Sequence, residues 1–154
     1  MHSRYHKQTK LPELGPEGQK LLKNARILCV GADGLGCAAL PYLAGAGVGK
    51  IGIADFDHVE LSNLHRQTLF TEADINLKKS EAAKRHLTKL NSDIEIISYP
   101  EKICAENVDS FFDQYDIILD GTDQLQTKYL LSDAAVKLNK PLVYGSAVAF
   151  EGQV

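Results

Sequence analysis

Residues 26–36 read RILCVGADGLG, and this stretch decides which fold the chain can adopt. Its apolar half predicts a buried strand over residues 26–30, and the glycines after it allow a tight turn into a helix. A second apolar run ends at Asp55, about 20 residues after the last glycine. Strand, glycine turn, helix, strand and acid form a nucleotide-binding βαβ unit, in which the helix offers N–H groups to phosphate. Asp55 is placed to accept hydrogen bonds from ribose hydroxyls.

The spacing of the glycines narrows the class of ligand. A dinucleotide-binding turn has glycine at its first, third and sixth positions, and here the third position is Asp33. Gly31, Gly34 and Gly36 remain, so the backbone can still turn tightly. The carboxylate at position 33 either repels a bound phosphate or points away from it. The turn could also connect strand and helix without binding anything.

Composition and charge exclude several classes of function. The 154 residues suffice for one domain with a real core, and the net charge of −3 gives no reason to expect nucleic acid or an anionic membrane as main partner. The sequence shows no secretion signal and no membrane-spanning run. The three cysteines are Cys29, Cys37 and Cys104, and their spacing is not that of a disulfide or a metal site. This predicts reduced thiols, a cytoplasmic protein and no zinc site.

Strands and helices alternate along the rest of the chain. The predicted helices cover residues 16–24, 34–46, 79–90, 105–113 and 124–138, and the predicted strands 26–30, 51–55, 94–97, 116–120 and 142–144. This alternation predicts an α/β fold, Rossmann-like and doubly wound, with a mostly parallel sheet and helices on both faces. A new apolar element begins within 147–154, so we expect residues 1–154 to be the N-terminal part of a longer protein.

Polar side chains follow the second and fourth predicted strands, at the sheet edge where open α/β proteins bind ligands. The loop after Asp55 is longer than usual and carries Arg66, which could hold phosphate with both of its guanidinium N–H arms. Lys79 could meet phosphate as a point charge, and Asp123 could bind magnesium. Each residue also has a simpler interpretation: a surface ion pair for Arg66, a solvated helix start for Lys79 and a helix N-cap for Asp123.

Motifs along nearly the whole chain resemble, in order, those of the HesA/MoeB/ThiF family, whose adenylation domain is shared with ubiquitin-activating enzymes. The motifs are RYHKQ at 4–8, the glycine turn at 31–36, DFD at 55–57, LSNLHRQTL at 61–69, Lys79, and DGTD at 120–123. The resemblance implies ATP-dependent adenylation of the C-terminal glycine carboxylate of a ubiquitin-like sulfur-carrier protein. It also implies a homodimer, and a nucleotide-binding adenylation domain over 1–154 that stops before the substrate-binding half.

The resemblance assigns roles to individual residues. It implies catalysis by Arg66, Lys79 and Asp123, with Asp123 holding magnesium. It implies ATP binding by Gly31, Gly34, Asp55, Asn63, Arg66 and Lys79. Lys7 stands where the family has an arginine that reaches the ATP of the partner protomer, and lysine keeps the charge without the planar fork. No cysteine matches a family thioester position.

Two other classes of function stay open. An NAD-dependent oxidoreductase would need glycine at position 33, and the cations Arg66 and Lys79 at the same edge also argue against it. A non-catalytic nucleotide-binding or interaction module of the same fold is favoured by Asp33, by Lys7 and by the missing second half.

Overall fold

The computed structural model describes residues 4–154 and shows a five-stranded parallel sheet in the order β3-β2-β1-β4-β5. The strands of this sheet are β1 (Arg26–Val30), β2 (Lys50–Ala54), β3 (Glu95–Tyr99), β4 (Ile117–Asp120) and β5 (Leu142–Tyr144). The helices are α1 (Gly15–Asn24), α2 (Gly34–Ala46), α3 (Lys79–Leu90), α4 (Val108–Phe112) and α5 (Leu125–Leu138). The chain winds outward from β1 in one direction and from β4 in the other, which confirms the predicted Rossmann-like, doubly wound fold.

Helices cover both faces of the sheet because successive side chains of a strand point to opposite sides. Ile27 and Cys29 of β1 pack into a core with α2 and α3. Leu28 and Val30 of the same strand pack into a second core with α4 and α5. A strand that is buried on both faces reads as a continuous apolar run, as β1 does.

The bounds of several elements agree with the prediction, and others shift. The structure reproduces β1, α2, α3 and β5 as predicted. The helix predicted over 105–113 is confined to α4, and β2 ends at Ala54, so Asp55 is the first residue after the strand. The apolar element expected within 147–154 is part of an antiparallel hairpin of β6 (Ser146–Val148) and β7 (Glu151–Gln153). Among residues 4–154, no helix is both long enough and apolar enough to cross a membrane.

The loops after β1 and β4 touch each other through glycine backbone. Gly31 has φ of 90°, a conformation that side-chain-bearing residues rarely adopt. A Cβ on Gly36 would lie 2.1 Å from the carbonyl oxygen of Gly31, and a Cβ on Gly121 would lie 2.9 Å from the same atom. Neither position leaves room for a side chain, so these glycines are what allows the two loops and the start of α2 to meet.

We expect Gly36→Ala to lower the free energy of unfolding by about 2–3 kcal/mol, because the new methyl group must displace backbone rather than a flexible side chain. The matched control is Gly45→Ala in the same helix, where a Cβ would meet nothing within 4 Å. That change should stabilise the protein by about 0.5–1 kcal/mol, since alanine favours helix over glycine. Urea denaturation of both variants measures the difference, and equal effects would contradict the proposed close contact.

Candidate functional site

Two cavities meet at the sheet edge where β1, β2 and β4 end. The first is lined by residues that include Gly31, Asp55 and Phe56. The second, of about 420 Å³, is lined by residues that include Gly34, Arg66 and the hairpin residues Ser146, Ala147 and Val148. Asp33, Thr122 and Asp123 line both. These three residues therefore form the boundary that the two cavities share.

The Asp55 carboxylate organises the glycine turn. Its Oδ2 accepts a hydrogen bond from the Ala32 N–H at 2.7 Å, and its Oδ1 accepts one from the Asp57 N–H at 2.8 Å. Burial raises the pKa of Asp55, and the two N–H donors oppose that shift. Each carboxylate oxygen keeps a second acceptor position, and the binding of ribose hydroxyls by Asp55 stays a prediction. Sequence reasoning missed its contacts with the backbone of the turn.

Lys79 and Asp33 form a largely buried ion pair. The Lys79 Nζ lies 2.6 Å from Asp33 Oδ1, which also accepts a hydrogen bond from the Gln67 Nε2 at 2.8 Å. Burial by itself lowers the pKa of Lys79, but the hydrogen bond and charge of Asp33 raise it above its ordinary value. The interpretation of Lys79 as a solvated helix start is wrong, since only 4% of the residue is exposed.

The Asp33 carboxylate does not point away from the site, which was one of the two alternatives considered from the sequence. It is bound by Lys79 and Gln67, so it is not released to solvent, and it still lines both cavities. Asp33 is also the N-cap residue of α2, yet its side chain makes no capping hydrogen bond. The first N–H groups of α2 are therefore free of a side-chain acceptor and can face an anion.

Arg66 is the exposed cation of the second cavity. Its guanidinium makes only long contacts of 3.4 Å, with the Ser62 carbonyl oxygen and the His65 ring. Within residues 4–154 it has no acidic partner, so the alternative of a surface ion pair is wrong. Asn63 lines neither cavity but supports the turn before Arg66, because its carbonyl oxygen accepts hydrogen bonds from the N–H groups of Arg66 and Gln67.

Asp123 is exposed and lines both cavities. The interpretation of Asp123 as a helix N-cap is wrong, because the N-cap of α5 is Gln124. Among the described residues, no three His, Cys, Asp or Glu side chains are grouped to hold a metal ion. A single carboxylate nevertheless suits magnesium, which takes one or two carboxylates together with substrate phosphates and water.

Sequence reasoning missed the residues that hold the loop before Asp123. Asp120 is buried, and its Oδ1 accepts hydrogen bonds from the Thr122 N–H at 2.9 Å and hydroxyl at 2.7 Å. The Lys128 ammonium binds the other Asp120 oxygen at 3.2 Å and the Gly145 carbonyl oxygen at 2.8 Å. A signal for Lys128 was available, since a cation near the start of a helix is unfavourable unless an anion lies close to it.

Lys7 lies far from the cavities of its own chain. It is exposed, and the neighbouring Gln8 binds the Ala46 carbonyl oxygen at 2.8 Å, at the C-terminal end of α2. The glycine turn lies at the other end of this helix, about 20 Å away for 13 residues. The role of Lys7 in a partner protomer's site stays a prediction.

The doubly wound fold defines an open α/β protein. Its glycine turn and paired cavities lie at the point where the strand order reverses, and this site is suited to phosphate groups. Residues 5–154 match the model of the ThiF family, and the chain belongs to that family.

Relatives of known name match almost the whole chain. The adenylyltransferase and sulfurtransferase MOCS3 of Culex quinquefasciatus is 51% identical over 152 residues, which are 99% of this chain and 35% of that protein. The sulfur carrier protein adenylyltransferase of Thermus thermophilus is 46% identical over 151 residues, which are 98% of this chain and 56% of that protein. The chain thus spans between about a third and just over half of the length of these relatives.

Solved structures show the same fold. Escherichia coli MccB with ATP superimposes with a TM-score of 0.84 at 29% identity, over 95% of this chain and 45% of that one. The E. coli tRNA N6-threonylcarbamoyladenosine dehydratase TcdA, in complex with ATP, gives a TM-score of 0.87 at 24% identity, over 95% of this chain and 61% of that one. The second likeness concerns the fold alone.

We expect Asp55→Asn to lower the free energy of unfolding by about 1–3 kcal/mol, because an amide NH₂ cannot accept the hydrogen bond that one of the two backbone N–H groups donates to Asp55. The control is Asp57→Asn, because the Asp57 carboxylate is half-exposed and accepts no hydrogen bond from a backbone N–H group of residues 4–154. Guanidinium denaturation of both variants provides the measurement. A loss no larger for Asp55→Asn than for Asp57→Asn would show that the turn does not depend on this carboxylate.

Proposed function

We propose that this protein adenylates the C-terminal glycine carboxylate of a ubiquitin-like sulfur-carrier protein with ATP. The observation that carries the proposal is the junction of the two cavities at Asp33, Thr122 and Asp123. The nucleoside of ATP would occupy the first cavity, and its phosphates would extend past the shared residues towards Gly34 and Arg66 in the second. The peptide carboxylate would meet the α-phosphate at this junction. The named relatives, a sulfur carrier protein adenylyltransferase among them, support this choice of substrate.

We propose one orientation for the bound ATP. Asp55 would hold the ribose, and Gly31, Gly34 and the free N–H groups of α2 would face the phosphates. Asn63 and Lys79 would support that end of the nucleotide from the loop after β2 and from α3. The carboxylate oxygen of the substrate then attacks the α-phosphorus, the bond to the bridging oxygen of pyrophosphate breaks, and an acyl-adenylate forms.

Catalysis of this step is a matter of position and charge, and no side chain has to act as a nucleophile. The Arg66 guanidinium, which has no acidic partner within residues 4–154, is available to neutralise charge that grows on the phosphate oxygens. Asp123 would hold magnesium, which supplies neutralisation of the leaving pyrophosphate.

The assembly and location of the protein are also proposals. We propose a homodimer in which Lys7 serves the site of the partner protomer, since Lys7 lies far from the site of its own chain. Cys29 and Cys37 are free buried thiols and Cys104 is a free, partly exposed one, which supports a reducing, cytoplasmic location. We also propose that residues which grip the carrier protein lie outside these 154 residues, because the curated relatives are longer.

Mg-ATP should raise the thermal stability of the protein, whereas NAD should not, because Arg66 and the free N–H groups of α2 suit a triphosphate. Ligand at about a hundredfold excess over its Kd stabilises by about 2.7 kcal/mol. Differential scanning calorimetry with each ligand measures the shift. Equal or greater stabilisation by NAD would contradict the adenylation proposal and favour an oxidoreductase.

Arg66→Ala and Asp123→Ala should each slow carboxylate-dependent ATP–pyrophosphate exchange by about 10²–10³, the usual cost of one preorganised electrostatic contact. The assay uses the carrier protein together with an enzyme that contains residues 1–154 and is as long as the relatives. Both residues are exposed, so the melting temperature should be unchanged.

The control for these two variants is Asp133→Ala, an exposed acid on α5 away from both cavities. It should retain exchange at the parental rate. Near-parental exchange in the Arg66 and Asp123 variants would mean that these residues are not part of the active site. Exchange that is absent from the unsubstituted protein, despite binding of Mg-ATP, would favour a non-catalytic nucleotide-binding module.

A further inference from the structure

Asp33 separates Lys79 from the two cavities. Its Oδ1 lies 2.6 Å from the Lys79 Nζ, and about a quarter of its side chain is exposed. Asp33 lines both cavities, whereas Lys79 lines neither and is almost fully buried. An anion that enters from either cavity therefore meets the carboxylate of Asp33 before it reaches the ammonium of Lys79.

Two features show that this orientation is built into the protein. As the N-cap residue of α2, Asp33 could bind the first N–H groups of the helix, which is the usual place for such a carboxylate, yet it makes no such bond. Gln67 is fully buried, and its Nε2 donates to Asp33 Oδ1 at 2.8 Å, while its Oε1 has no hydrogen-bond partner among the described residues. A buried amide with an unpaired acceptor is already costly, and loss of the bond to Asp33 would leave its N–H group unpaired as well. The Gln67 side chain therefore holds the Asp33 carboxylate in this orientation.

The negative charges around Lys79 already outnumber its single positive charge. Besides Asp33, the Asp57 Oδ2 lies 3.7 Å from the Lys79 Nζ, and Asp55 also acts on it electrostatically. In a largely buried setting such charges are weakly screened. A phosphate can gain the full attraction of Lys79 only when the pair with Asp33 is broken or shared.

Building on the proposed nucleotide site, we propose that Asp33 is a specificity-determining residue that competes with ligand phosphates for the Lys79 ammonium. The site then discriminates by phosphate charge. The competition weakens the binding of a triphosphate most, and it does not affect the binding of a nucleoside without phosphates. Glycine at the same position would leave Lys79 without the Asp33 carboxylate as a partner. It would also let the protein backbone of the turn contact a phosphate, which a side chain obstructs.

The test is calorimetric titration of Asp33→Asn and Asp33→Gly with adenosine, Mg-ATP and inorganic triphosphate. Both variants should bind Mg-ATP and triphosphate about tenfold or more tightly than the parent, the scale of one charge-assisted contact, whereas adenosine affinity should change by less than about twofold. Asp57→Asn is the comparison variant, because it removes a more distant and half-exposed carboxylate. Its gain should be under about threefold.

A double-mutant cycle separates competition from simple repulsion. In a Lys79→Met background, the gain from Asp33→Asn should fall to under about threefold, because no ammonium remains to be released. A gain that persists without Lys79 would overturn the competition proposal, as would a triphosphate affinity that is unchanged or weaker in both Asp33 variants. Tighter triphosphate binding without measurable ATP or adenosine binding would support competition and overturn the proposed adenylation function instead.

Discussion

The contact among Gly31, Gly36 and Gly121 is the constraint on which the rest of the structure depends. It brings the loop after β1, the start of α2 and the loop after β4 within van der Waals distance of one another. The two cavities can share a boundary only because these backbone segments are so close. A side chain at any of the three positions would push the loops apart, so a local steric requirement sets the geometry of the whole site.

Charged residues at the site fall into two groups. Some build the walls: Asp55 binds backbone N–H groups, and Asp120 is held by Thr122 and Lys128. Others, Arg66 and Asp123, are exposed towards the cavities. Asp33 belongs to both groups, because it is tied to the interior and also lines the cavities. That double position is why its charge bears on any phosphate that the site receives.

The local pattern of apolar residues and glycines predicted most helices and strands. It failed where a side chain took a backbone N–H group as its hydrogen-bond donor and so competed with helix formation. The bounds of β1 and α2 follow from an apolar run and from glycines at both ends of the helix. The helix predicted over 105–113 begins late, because the Asn107 Oδ1 accepts a hydrogen bond from the Cys104 N–H and holds residues 104–107 in a turn. Asparagine makes such local bonds readily, and its competition with helix is invisible to hydrophobic periodicity.

The sequence by itself determined the fold class, the family and the edge of the sheet where polar groups collect, because glycine positions and apolar periodicity act over short stretches of chain. Only the tertiary structure decided what those polar groups bind. Asp33 pairs with Lys79, 46 residues away, and with Gln67, 34 residues away. These contacts depend on how α3 and the loop after β2 pack against the start of α2. No local pattern contains that information, because the geometry exists only once the sheet and both helices have assembled.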